Sequence, residues 1–323
     1  DKSTMSICFL RTEDKKSGPA CQGDFITAGI LTFFLDMQRH FHIDRQRGND
    51  KMLAPHPYAA LEYWYFKVNA GPLALLVDWI ARRRVNEQWM RVSIHSPHKR
   101  EVLFEKRTSL MGGEQDSLDT RRTAGQIGEV AWELDIEIQD QKWIAPDVFP
   151  VRLLRMTDMA LVSAPFALFT GWVRHGAQRI ELQRAPGMIA HYWGRRLAPE
   201  WWWVSANQFD REGIAVECTV FRSGLWGIPV RLPMAYLYLR DAATQKLVTA
   251  PPAIAQVKGS PENFEIQFRR LGAAPITLKA RGCDYGDFGE RIINTLVGDL
   301  EIWEGGKMIA RAQGTAGLER RTP

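Results

Sequence analysis

The sequence of 323 residues is short of long apolar runs, cysteine pairs, nucleotide-binding glycine motifs and helical periodicity, and each shortage removes a class of protein. Its longest apolar stretch, residues 26 to 35, holds one glycine and two threonines and is too short to span a bilayer. Four cysteines, Cys8, Cys21, Cys218 and Cys283, fall without CxxC spacing, which argues against a zinc ribbon and a disulfide framework. Gly112-Gly113 and Gly305-Gly306 are isolated turn glycines, so neither a P-loop nor a dinucleotide fingerprint is present. Ser93, Ser163 and Ser205 lack the surroundings of a nucleophile elbow, which makes a serine hydrolase a poor reading. No charged, apolar and small-residue order of a secretory leader opens the sequence, and the expectation is a cytoplasmic protein with at most transient contact with a membrane surface.

Charge is close to balance, with 42 basic against 37 acidic residues. The basic residues gather in short groups, Arg82-Arg83-Arg84, Arg121-Arg122 and Arg269-Arg270, unaccompanied by any nucleic-acid-binding motif. They read as solvated strand ends, and no nucleic-acid partner is expected. What the chain does have is apolar and aromatic substance, 45% hydrophobic and 11% aromatic, enough for substantial cores.

Strand patterns dominate. Residues 61–69, 73–81, 87–95, 102–110, 129–139, 215–222, 234–240, 253–258, 264–270, 276–281 and 300–302 are each bounded by turn chemistry, and most alternate. In Val130 to Ile138 the apolar set Val130, Trp132, Leu134, Ile136 and Ile138 opposes Glu133, Asp135 and Glu137, the pattern of a half-buried antiparallel strand. Only residues 22–42 and 289–296 read as helical. The predicted fold class is all-β, two antiparallel barrels in tandem: an extension over 1–56, partly helical, a first barrel over 57–185 and a second over 186–323. Each barrel opens on an aromatic strand, Glu62-Tyr63-Trp64-Tyr65-Phe66-Lys67-Val68 and Trp201-Trp202-Trp203-Val204-Ser205-Ala206-Asn207-Gln208-Phe209. A period of two places Trp201, Trp203, Ser205, Asn207 and Phe209 on one face of the second.

These residues carry a resemblance. Glu62 to Val68 resembles the EGWYFKV-type opening of tocopherol cyclases and the EWWYF opening of carotenoid 1,2-hydratases (hydroxyneurosporene synthases). His191-Tyr192-Trp193-Gly194 is similar to the DHxWG segment of the hydratases, with Ala190 where the Asp stands, and Trp203 to Phe209 is similar to a cyclase strand. The ending Gly298 to Gly306 followed by Ala316-Gly317-Leu318-Glu319 also resembles these families. The resemblance, spread over about residues 58 to 320, implies tandem lipocalin-like barrels around a ligand cavity, in a group that also includes lipocalin-like Diels-Alderases. It implies a hydrophobic, often prenylated, small-molecule substrate and no cofactor.

Protonating an isolated alkene makes a tertiary cation, so such chemistry needs a positioned acid, a dry pocket and π faces. The candidate acids are His191, which shares a strand face with Trp193, Glu62, which shares one with Trp64, and Glu217, expected beside the tryptophan strand. Set against these roles are ordinary ones, a turn cap or a hydrogen bond to a backbone carbonyl for His191, a rim ion pair for Glu62 and a solvated face for Glu217. Candidate substrate-binding residues are Trp64, Tyr65, Trp193, Trp201, Trp203, Asn207 and Phe209. No metal is expected: His40, His42 and Asp44 on a presumed helix put only two donors on one side. Three readings compete: an acid-catalysed cyclase or hydratase, a pericyclase that folds a polyene for Diels-Alder closure, and a non-catalytic carrier.

Overall fold

The computed structural model describes residues 52–56, 58–96, 100–107, 116–145, 159–225, 228–244, 246–250, 255–270 and 272–322. The expected helix over 22–42 and the group His40, His42 and Asp44 lie outside these residues. Among the described residues the chain folds into two large antiparallel sheets.

The first sheet is built from β1 (Leu61–Ala70), β2 (Leu73–Arg82), β3 (Glu87–His95), β4 (Arg100–Lys106), β5 (Ser117–Leu118), β6 (Arg122–Ile127), β7 (Val130–Ala145), β8 (Met159–His175) and β9 (Gln178–Gly194). The second uses β10 (Glu200–Ala206), β11 (Ile214–Leu225), β12 (Ile228–Asp241), β13 (Lys246–Ala250), β14 (Ala255–Gly259), β15 (Asn263–Arg270), β16 (Ala273–Arg281), β17 (Gly286–Asp287), β18 (Ile292–Glu304) and β19 (Lys307–Arg321).

Strand order is β4-β3-β2-β1-β9-β8-β7-β6-β5 in the first sheet and β13-β12-β11-β10-β19-β18-β16-β15-β14 in the second, with β17 paired to β18. In both, the opening aromatic strand pairs with the closing one, β1 with β9 and β10 with β19. The two halves therefore share one topology, and β1 and β10 are equivalent. β4 approaches β6, and β12 approaches β14, so each sheet curls back on itself as a lipocalin-like barrel does.

Alternation explains the cores. Trp64, Phe66 and Val68 of β1 point into the first barrel, where Phe66 meets Trp79, Trp132 and Phe169 at ring separations of 6.0, 6.2 and 5.6 Å. Trp202, Val204 and Ala206 of β10 fill the second with Phe264, Ile266 and Phe268. The remaining sides of β1 and β10 face each other: Tyr63 and Tyr65 share a third cluster with Trp201, Trp203, Phe221 and Tyr236. Close approach there depends on small residues, because a Cβ on Gly317 would sit 2.9 Å from the Lys67 and Trp203 side chains.

Three expectations change. The hand-over between sheets falls between Gly194 and Glu200, whereas 185/186 lies inside β9, so the His191-Tyr192-Trp193 segment belongs to the first sheet. Residues 52–56 belong with the first barrel rather than with an extension, since Met52 and Leu53 are buried in its core. Residues 289–296 form a turn and the start of β18, not a helix; the β-branched Ile292, Ile293, Thr295 and Val297 suit a strand, and β17 and β19 supply its pairing.

Candidate functional site

β1 separates two polar environments, one on each of its faces. On the inner face, Trp64 stands opposite His191 and Glu62 opposite Trp193. His191 Nε2 lies 2.8 Å from Glu62 Oε1, while its Nδ1 donates to the Met52 carbonyl at 2.9 Å. The backbone N–H of His56 donates to the same Oε1 at 2.8 Å, with His56 Nδ1 at 3.2 Å from it. Arg83 donates to Oε2 at 2.5 Å. The rings are fixed by stacking, His56 on Trp193 at 4.0 Å and His191 on Trp64 at 4.9 Å, and Trp64 Nε1 donates to the Leu53 carbonyl. Residues 52–56 thus close one end of the first barrel over Glu62 and His191, both fully buried.

Burial by itself would raise the Glu62 pKa, but the hydrogen bonds from His191, His56 and Arg83 outweigh it and hold the carboxylate at about 2. Burial lowers the His191 pKa, against the opposing pull of Glu62 and the Met52 carbonyl. The pair is a permanent anion beside an imidazole reluctant to charge.

The outer face is different. Between the sheets lies a cavity of about 110 Å³, walled by Tyr63, Tyr65, Asp78, Arg91 and Tyr192 from the first sheet and Trp201, Trp203, Thr219, Phe221 and Glu319 from the second. Its lining is largely apolar, aromatic and aliphatic together, as a site for an apolar molecule requires. Three ionisable groups break that lining. Arg91 Nε donates to Asp78 Oδ2 at 2.7 Å, both side chains being nearly buried, and the guanidinium sits 4.2 Å above the Phe288 ring. Glu319 accepts from Trp201 Nε1 at 2.8 Å and from Asn294 Nδ2 at 3.0 Å. Burial raises its pKa, more than Arg91 and the Asn294 bond lower it. Burial likewise keeps the Tyr65 phenol neutral well above the ordinary tyrosine range. The Thr219 hydroxyl is buried with no hydrogen-bond partner among the described residues.

Of the sequence-predicted residues, Tyr65, Trp201 and Trp203 line this cavity. His191, Glu62, Trp64 and Trp193 come together, but inside the first barrel, on the far face of β1 and β9. Glu217 stands behind the cavity wall: Ser163 Oγ donates to it at 2.5 Å and Trp203 Nε1 at 3.5 Å, and burial lifts its pKa to about 7 against both bonds. Asn207 does not face the cavity either; its amide donates to the Pro165 and Gly187 carbonyls, each at 2.9 Å, tying β10 to the bulged part of β8 and β9. Phe209, past the end of β10, packs on the second core.

Sequence reasoning missed Asp78, Arg91, His56 and the role of Glu319. A signal existed for the first two. Asp78 interrupts the apolar run Leu73–Ala81 and Arg91 interrupts Trp89–Ile94, strands buried on both faces, where a lone charge implies a partner or a ligand.

No protein-family model and no curated protein sequence matches the chain. Solved structures match its fold. CghA with Sch210972 superposes with a TM-score of 0.55 at 13% identity, covering 84% of this chain and 97% of that one. Kievitone hydratase from Nectria haematococca gives 0.53 at 9% identity, covering 84% and 90%. An AttH protein from Nitrosomonas europaea gives 0.52 at 14% identity, covering 82% and 93%. The chain has the tandem lipocalin-like fold of these proteins.

Proposed function

We propose that the protein is a cofactor-independent enzyme, a cyclase or hydratase, acting on a hydrophobic isoprenoid or polyene in the cavity between its sheets. One observation carries this reading: Glu319, an acid whose pKa is raised by burial, opens onto a chamber walled by Trp201, Trp203, Tyr63 and Tyr65. The protonated carboxyl of Glu319 gives its proton to one alkene carbon. The cation left on the other carbon rests against indole and phenol faces. A neighbouring π bond or hydroxyl then closes on it, and the proton lost from the ring-closed product returns to Glu319. Capture by water instead gives the hydrated product. Trp201 and Asn294 orient the carboxyl throughout.

A second reading is favoured by the Asp78–Arg91 pair and the Tyr65 phenol. Donors in an apolar wall polarise an activating carbonyl, and a folded polyene closes by cycloaddition with orientation supplying most of the acceleration. The likeness in fold to kievitone hydratase supports the enzyme class as a whole. The test is product analysis after incubation with prenyl quinols, carotenoids and polyenes, using wild type, Glu319→Gln and Arg91→Lys. Protonation chemistry is expected to lose at least about 10²-fold in rate with Glu319→Gln. Turnover insensitive to Glu319→Gln but sensitive to Arg91→Lys moves the conclusion to cycloaddition. Tight binding of a panel member with no product makes the protein a carrier.

A further inference from the structure

The closed end of the first barrel holds a donor set that the cavity chemistry does not use. His56 Nδ1, Glu62 Oε1 and His191 Nε2 all lie within 4.8 Å of one another, the one such group among the described residues. The Met52 carbonyl only accepts, so the Nδ1 facing it at 2.9 Å carries a hydrogen and turns Nε2 towards the group. That Nε2 lies 2.8 Å from Glu62 Oε1. His56 Nδ1 converges on the same oxygen from a second direction at 3.2 Å.

We propose that His56, Glu62 and His191 bind a divalent zinc-class cation at this barrel end. Two imidazoles and one carboxylate are a donor set suited to zinc and its first-row neighbours. Bond lengths of about 2.0 to 2.2 Å at a tetrahedral centre separate ligand atoms by about 3.3 Å. The two distances to Glu62 Oε1, 2.8 and 3.2 Å, lie close to that, and the two imidazole nitrogens stand within 4.8 Å of each other. The outer supports are in place as well: His191 donates its other ring nitrogen to a backbone carbonyl, the arrangement that orients metal-bound histidines. Arg83 occupies Oε2, so Glu62 binds through Oε1 alone. Three protein donors leave a fourth position for water on the side of His56, whose side chain is 21% exposed while the other two ligands have no exposure. The cation would tie residues 52–56 to β1 and β9. It stands on the opposite face of β1 from the cavity and is independent of the catalytic reading.

The experiment uses the full chain. Elemental analysis of protein purified without chelator is expected to give about one zinc per chain. Chelator-treated protein, checked by circular dichroism, is then titrated with cobalt(II) and with zinc. Binding is expected to give the visible bands of a tetrahedral cobalt site and to raise the Tm. His56→Ala changes the most exposed ligand and so spares the fold; it is expected to weaken zinc binding at least about 10-fold, whereas Arg83→Ala retains it. Folded wild type that takes up neither metal, or His56→Ala that binds as tightly as wild type, overturns the proposal.

Discussion

Glu217→Gln tests the electrostatics between the sheets. Glu217 is 1% exposed, with Ser163 and Trp203 as its hydrogen-bond partners, and burial lifts its pKa from 4.5 to about 7. Below about pH 4.5 the carboxyl is protonated in the folded and unfolded chains alike, so burial carries no ionisation penalty. Between about 4.5 and 7 the unfolded chain ionises while the folded chain keeps its proton. The folded state then binds more protons, and stability falls as pH rises, levelling off above about 7. At about 1.4 kcal/mol for each tenfold change in proton affinity, the total loss is about 3 kcal/mol. Glutamine has the same size and can accept from Ser163, but it does not titrate. Urea unfolding of both proteins, followed by tryptophan fluorescence at pH 4.5, 6 and 8, is expected to show the variant gaining about 3 kcal/mol on wild type across that range. Contributions from other groups are common to both proteins and cancel. Parallel curves for the two proteins would refute the argument.

Lys67 is fully buried, and among the described residues its ammonium hydrogen-bonds only to the Thr315 carbonyl, at 3.3 Å; burial lowers its pKa to about 7. Lys67→Met is therefore expected to be more stable than wild type at pH 7, with the advantage shrinking as pH rises towards 10.5 and the unfolded lysine also loses its proton; thermal melts at pH 7 and 9.5 check this. Asn207→Ala leaves the Pro165 and Gly187 carbonyls without their donor and is expected to cost about 1 to 3 kcal/mol by urea unfolding, without changing ligand affinity. Gly317→Ala puts a methyl group 2.9 Å from the Lys67 and Trp203 side chains and is expected to lower the Tm and to alter ligand binding, since Trp203 is a cavity wall.

Much of the fold was legible because strand alternation is a local property. β1, β2, β3, β15 and β16 lie within a few residues of their predicted spans, since each carries its apolar residues with a period of two or as a continuous buried run. β8 and all but the His191–Trp193 end of β9 were not read, because Ala160, Ala164, Pro165, Ala167, Gly171, Pro186 and Gly187 look like loop composition. In the folded protein these small residues make bulges, with register shifts between Ala164 and Ala167 and between Phe169 and Gly171. The same misreading put the expected domain boundary inside β9. For the site, alternation placed Trp201 and Trp203 together and paired Glu62 with Trp64. It does not say which face is barrel interior and which is cavity.

The sequence by itself determined the class of structure, all-β with two aromatic-led halves, and the neighbours along each strand. Those follow from dihedral preference and the period of two, which any segment expresses on its own. Tertiary structure decided what the faces meet. It brought Glu62, His191 and His56 to one point from three separate segments, and set Glu319 from the far end of the chain beside Trp201 and across the cavity from Asp78 and Arg91. Such meetings depend on the pairing of β1 with β9 and of β10 with β19 and on the packing of one sheet's outer face on the other's. No local preference encodes contacts between residues more than a hundred positions apart. They arise only when the apolar faces of both sheets are buried together.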